Sequence, residues 1–100
     1  MSAKGYLFAE LTVHDHEVFY HDYMEKVRPM LESWEASFLI STDSPEIIEG
    51  GRTVPRVILL EFSSLQKARD FYYSEEYQSI IKLRFDSSTA HLYIMEGRAA

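Results

Sequence analysis

Arg56-Val-Ile-Leu-Leu-Glu-Phe62, then Ser63-Ser-Leu-Gln-Lys-Ala-Arg-Asp-Phe-Tyr-Tyr-Ser74, then Glu75-Glu-Tyr-Gln-Ser-Ile-Ile-Lys-Leu-Arg84, is the stretch whose reading decides the fold. Its first seven residues alternate: Ile58, Leu60 and Phe62 face one way, Val57, Leu59 and Glu61 the other, which predicts a strand apolar on nearly both faces. Ser63 and Gln66 have the spacing of a capping box, so a helix should begin there, with Leu65, Ala68, Phe71 and Tyr72 as its inner stripe. Ser74 suits the N-cap of a further helical segment, Glu75 to Arg84, that turns Tyr77, Ile80 and Ile81 inward.

Toward the N-terminus the same design repeats. Gly5 to Val13 reads as a strand, with Leu7, Ala9, Leu11 and Val13 on an apolar face and Tyr6, Phe8, Glu10 and Thr12 on a mixed one. Asp15 is placed to cap a helix running to about Ser33, whose stripe is Tyr20, Tyr23, Val27, Leu31 and Trp34. Pro29 lies inside that pattern and should kink the helix or end its regular part near Arg28. Ala36 to Thr42 predicts a second strand. Asp43-Ser44-Pro45 is a turn, Ile47-Ile48 a short strand, and Gly50-Gly51 another turn. Toward the C-terminus, His91 to Glu96 is the last strand and Gly97 to Ala100 a short tail.

Strand, helix, strand, strand, helix, strand is the α+β, ferredoxin-like βαββαβ plan. It places four antiparallel strands in one sheet with both helices on one face, and the first and third strands as central neighbours. Residues 1–100 read as one domain without a linker or low-complexity stretch. The other face of the sheet would carry Phe8, Glu10, Val57, Leu59, Glu61, His91, Tyr93 and Met95. So apolar a surface predicts a cover, and a second copy packed face to face gives a symmetric homodimer.

Composition narrows the classes of function. With 10 basic and 16 acidic residues the net charge is −6, which gives no basic footprint for nucleic acid. The chain has no Cys, so it has no thiolate nucleophile, disulfide or Cys-based zinc site, in keeping with a reducing cytoplasm. No run approaches a membrane span and no basic-then-apolar leader is visible, so a soluble cytoplasmic protein is expected. Seven tyrosines, each an apolar body with a polar tip, suit a pocket wall or an interface.

Glu49-Gly50, the strand Arg56–Phe62, Ala68, Phe71-Tyr72-Tyr73-Ser74, Glu76-Tyr77-Gln78 and Leu83-Arg84 together make a further point. In these residues the chain resembles the domain-of-unknown-function 1330 family, within the dimeric α/β-barrel superfamily, over nearly its whole length. Three departures stand out. Glu35-Ala36-Ser37 replaces the Gly-Gly-Arg that relatives carry after the first helix, Ser41 replaces a second common Arg, and the aromatic spacing after Asp15-His16 is shifted by about one residue. The resemblance implies the ferredoxin-like dimer. It also implies kinship with a superfamily that includes cofactor-independent monooxygenases, isomerases and haem-handling proteins, without assigning a reaction.

Candidate site residues follow from chemistry. Glu10 and Glu61 lie on mixed faces of adjacent strands, and paired carboxylates in a dry site push one pKa up, as a general acid or base requires. Their structural alternative is ion pairing at the rim. Arg56 and Arg84 are cations that could grip a carboxylate, and with Tyr23, Tyr72 and Tyr77 they would form a pocket for a small aromatic or acidic molecule. Against this stand a salt bridge for Arg56 and a helix-end contact for Arg84. His91 is a titratable ligand-binding candidate on the barrel face. His14-x-His16 lacks the partners of a metal site, so no metal is expected, and no nucleotide or triad motif implies a cofactor. The functional expectation is a small-molecule-binding dimer that performs proton abstraction or oxygenation on a small aromatic or enolisable compound. The alternative is a non-catalytic structural or regulatory homodimer, and the sequence leaves both open.

Overall fold

A computed structural model describes residues 3–99; Met1, Ser2 and Ala100, at the ends of the expected domain and tail, lie outside it. Strands β1 (Gly5–Val13), β2 (Ser37–Thr42), β3 (Arg56–Phe62) and β4 (Ser88–Glu96) pair antiparallel in the order β2-β3-β1-β4. A π-helical segment (Glu17–Met24) runs into α1 (Glu25–Ser33), and α2 (Leu65–Tyr72), α3 (Glu75–Gln78) and α4 (Ile81–Ser87) follow β3. The fold is therefore α+β and ferredoxin-like, with β1 and β3 in the middle as expected.

Period-two alternation holds the sheet in place. Leu7, Ala9 and Leu11 of β1 are buried against Ile58, Leu60 and Phe62 of β3, and this layer meets Phe19, Val27, Leu31, Ala68, Phe71 and Tyr77 of the helices. Gly5 allows β1 to approach α2, since a Cβ there would lie 2.2 Å from the Ser64 carbonyl oxygen. A bulge in β2 places Phe38 opposite Leu60 but Ile40 opposite Leu59, so Phe38 faces the helices and Ile40 the open side. The same shift sets Ser41 opposite Ile58, on the helix side.

The helices depart from expectation in informative ways. The Asp15 carboxylate does accept the Val18 N–H, at 3.1 Å. Beyond it the chain winds as a π-helix, whose wider turn changes which residues face inward. Phe19 is fully buried, Tyr20 only partly, and Met24 joins the core. Pro29 neither ends nor interrupts the helix, because α1 continues to Ser33. Its missing donor would have faced Glu25, at the junction where the ladder already changes from π to α pairing.

The cap of α2 is Ser64, accepting from Lys67 N–H at 3.1 Å, rather than Ser63; Gln66 instead bonds Asp70 at 2.8 Å. Ser74 caps α3 as expected. The segment beyond breaks at Ile80 into α3 and α4, and the second piece reaches Ser87, three residues past the expected end. The last strand accordingly begins at Ser88, not His91. Ile47-Ile48 forms no strand: both side chains are exposed in the irregular connection between β2 and β3, which turns at Gly50 and Gly51 with positive φ.

Candidate functional site

Three elements bring their polar tips together inside the helix layer. The π-helical segment supplies Tyr23, α3 supplies Tyr77, and α4 supplies Arg84, at 7%, 3% and 6% exposure. Ser74 fixes the first turn of α3: its hydroxyl accepts the Tyr77 N–H at 3.1 Å and donates to the Phe71 carbonyl at 2.7 Å. The two phenolic oxygens are 2.7 Å apart, and Arg84 Nε donates to the Tyr77 oxygen at 3.2 Å. Burial pushes the Tyr23 phenol well above its ordinary pKa; the Tyr77 hydroxyl adds to this and the Arg84 guanidinium opposes it.

This cluster lies on the wall of a cavity of about 40 Å³ between sheet and helices. The other walls are apolar, among them Leu11, Phe19, Met24, Phe38 and Leu60. Phe19 and Met24 were not legible as wall residues because the π winding, not an ideal 3.6-residue period, turns them inward.

The remaining expected site residues lie elsewhere. Tyr72 packs its ring against Tyr77, with centroids 5.6 Å apart, but does not line the cavity. Arg56 does not join the tyrosines. It starts β3 opposite Leu11, donates to Ser41 Oγ at 2.8 Å and lies 5.5 Å from the Tyr20 ring centroid. Its Nε is buried without a partner among the described residues. Ser41, one of the departures from the family pattern, is thus the residue that holds Arg56.

Glu10, Glu61 and His91 face the opposite, open side of the sheet. The register pairs Glu10 with Val57 and Tyr6 with Glu61, so the two carboxylates stand four residues apart along β3, about 13 Å at the usual strand rise. They are not a pair within one chain. Each has its own partner: Arg52, which sequence reasoning missed, forms an ion pair with Glu10, and Tyr6 donates to Glu61 at 3.0 Å. That hydrogen bond, with some loss of solvation and the carboxylate's charge, raises the Tyr6 pKa. His91 is the cross-strand neighbour of Glu10, and both line an open polar hollow with Arg52 and Thr89. His14 bonds Thr89 at 2.7 Å while His16 stacks on Tyr20, so the two imidazoles have separate neighbours. Among the described residues no three acidic or imidazole side chains gather to hold a metal, and no helix is long and apolar enough to cross a membrane.

The family model described as domain of unknown function DUF1330 matches residues 4–98. The chain belongs to this family. Among solved structures, this DUF1330 chain is similar to a protein of unknown function from Rhodopseudomonas palustris. That match has 10% identity and a TM-score of 0.77, and it covers 100% of this chain and 86% of the other. The chain is also similar to SnoaB, a cofactor-independent oxygenase from Streptomyces nogalater, at 12% identity and a TM-score of 0.56, covering 100% and 97%. A third similar structure is a dimeric protein of unknown function and ferredoxin-like fold from Bacteroides fragilis, at 13% identity and a TM-score of 0.53, covering 94% of each chain. At such identities the likeness is one of fold. No functionally curated protein matches the chain.

Proposed function

We propose that this DUF1330 protein is a homodimer, closed through the open faces of its sheets, that binds a small molecule between sheet and helices. The observation that carries the reading is the buried Tyr23–Tyr77–Arg84 chain on the wall of the core cavity. Two phenols and a guanidinium in an apolar, water-poor layer are suited to an oxygen that gains negative charge, as in an enolate or phenolate. The fitting reaction class is cofactor-independent oxygenation or isomerisation of a small aromatic or enolisable compound. The fold shared with SnoaB supports that class by analogy only. Glu10 and Glu61 project from the other face of the sheet, so they are not the base for a ligand in this cavity.

The cavity's size favours a second reading, a non-catalytic structural or regulatory dimer. At about 40 Å³ it is far below the ~300 Å³ of typical ligand pockets, so a larger ligand requires the helix layer to open. A thermal-shift screen decides between them, using small acids, aromatics and enolisable compounds on wild type and Tyr77→Phe. Binding raises the melting point with ligand concentration over Kd. A concentration-dependent rise that shrinks in Tyr77→Phe is expected. No rise with any compound would leave the non-catalytic dimer.

A further inference from the structure

Arg84 is the one charged side chain among the described residues that is buried. The ion pairs among those residues are His21–Glu25, Arg52–Glu10 and Lys82–Asp86, and none involves it. Its Nε meets the Tyr77 hydroxyl, and its Cζ lies 5.0 Å from the Phe85 ring centroid. An aromatic face offsets part of a cation's desolvation, but it does not neutralise the charge. The Tyr23 phenol does not supply a counter-charge either, because burial pushes its pKa well above the ordinary tyrosine value. A largely buried guanidinium without a carboxylate partner among the described residues carries a desolvation cost that a well-packed apolar residue would relieve.

The cavity beside it shows what would complete the arrangement. Tyr23, Tyr77 and Arg84 are its polar wall, and the remaining lining is hydrocarbon or aromatic. A volume of about 40 Å³ accommodates roughly three water-sized groups, the size of a carboxylate head, so a short hydrocarbon tail beyond it is seated as the helix layer opens. A phosphate would bring two charges to one guanidinium and polar oxygens to apolar walls. A neutral ligand would leave the cation as it is.

We infer that the cavity takes a short apolar monocarboxylate, its head group held by the Arg84 guanidinium and the Tyr77 hydroxyl and its hydrocarbon body against Phe19, Met24 and Leu60. This rests on the cavity being a ligand site, as proposed above. It narrows the ligand from small molecules in general to a monoanion with an apolar tail.

The test compares butanoate with butanamide, which share shape and differ in charge, by calorimetric titration at constant ionic strength and neutral pH. Wild type should bind butanoate at least tenfold more tightly than butanamide. Arg84→Met should lose that preference and, without ligand, melt at or above the wild-type temperature, since the substitution removes an uncompensated charge. Tyr77→Phe, which keeps the ring, should weaken butanoate several-fold; it serves if Arg84→Met does not fold. Equal binding of acid and amide by wild type would overturn the inference and leave the cavity as a ligand site. Binding of neither, while neutral compounds raise the melting point in the wider screen, would do the same. Binding of neither together with a blank screen would remove both readings.

Discussion

Glu35 holds a left-handed backbone, with φ of 57°, at the end of α1. Its N–H bonds the Glu32 carbonyl at 3.0 Å and the next N–H, of Ala36, bonds Leu31 at 2.9 Å, which is the Schellman pattern that glycine usually completes. The conformation costs an L-residue about 1–2 kcal/mol, so Glu35→Gly should stabilise the protein by about 1 kcal/mol after the loss of chain stiffness. Urea unfolding should show a higher midpoint at unchanged slope; a lower midpoint would mean that the Glu35 side chain contributes more than its backbone costs. Tyr23 makes a second prediction. Its phenol keeps its proton in the fold at pH values where the unfolded chain ionises near 10, so the native state binds more protons above that pH. This contribution to stability is full below about pH 10 and declines as pH rises toward the folded pKa, by up to ~1.4 kcal/mol per unit. Tyr23→Phe should therefore flatten the alkaline fall in stability measured between pH 9 and 11.5, and an unchanged slope would place the titration elsewhere.

Capping links single hydroxyls to whole elements, and α3 shows it most directly. Ser74 joins α2 to α3 through bonds to Phe71 and Tyr77, so Ser74→Ala should cost about 1–2 kcal/mol and increase hydrogen exchange at the Tyr77 amide. Stability equal to wild type would show that packing of the Tyr77 ring alone holds this turn. At this scale the sequence was readable where periods are regular. β3 was located residue for residue because its alternation is unbroken, and Tyr23, Tyr77 and Arg84 were singled out from residue type and family pattern. It was unreadable where one residue shifts the period. The π-helical winding exchanges Phe19 for Tyr20 in the core, and the β2 bulge sends Phe38 and Ile40 to opposite faces. Within one chain Glu10 and Glu61 do not pair for a related reason: adjacency of strands does not fix register, and four residues along β3 separate them.

At the scale of the molecule, the sheet is covered on one side only. The Cα envelope is 39 × 36 × 16 Å, a slab, and the accessible surface of 6456 Å² exceeds the about 5,900 Å² expected for a monomer of this mass. The open face carries Phe8 stacked on Tyr93 with centroids 6.1 Å apart, beside Leu59, Val57 and Met95; Tyr93 and Met95 are each 45% exposed. A face 39 × 36 Å in extent leaves room for the roughly 800 Å² per partner that stable assemblies bury. Because a two-fold interface presents each residue twice, one charge introduced at its centre acts from both sides. If the proposed dimer forms through this face, Tyr93→Asp should convert it to a monomer in sedimentation at micromolar concentration while leaving the far-ultraviolet dichroism intact, since Tyr93 lies outside the core. Tyr73→Asp is the matched control: its side chain is 72% exposed at the end of α2, on the helix layer, and the change should leave the dimer whole. If Tyr93→Asp sediments as wild type does, the open face is not the interface. If Tyr73→Asp alone dissociates the protein, the copies meet through their helices, and the polar hollow at Glu10, Arg52 and His91 remains open to solvent.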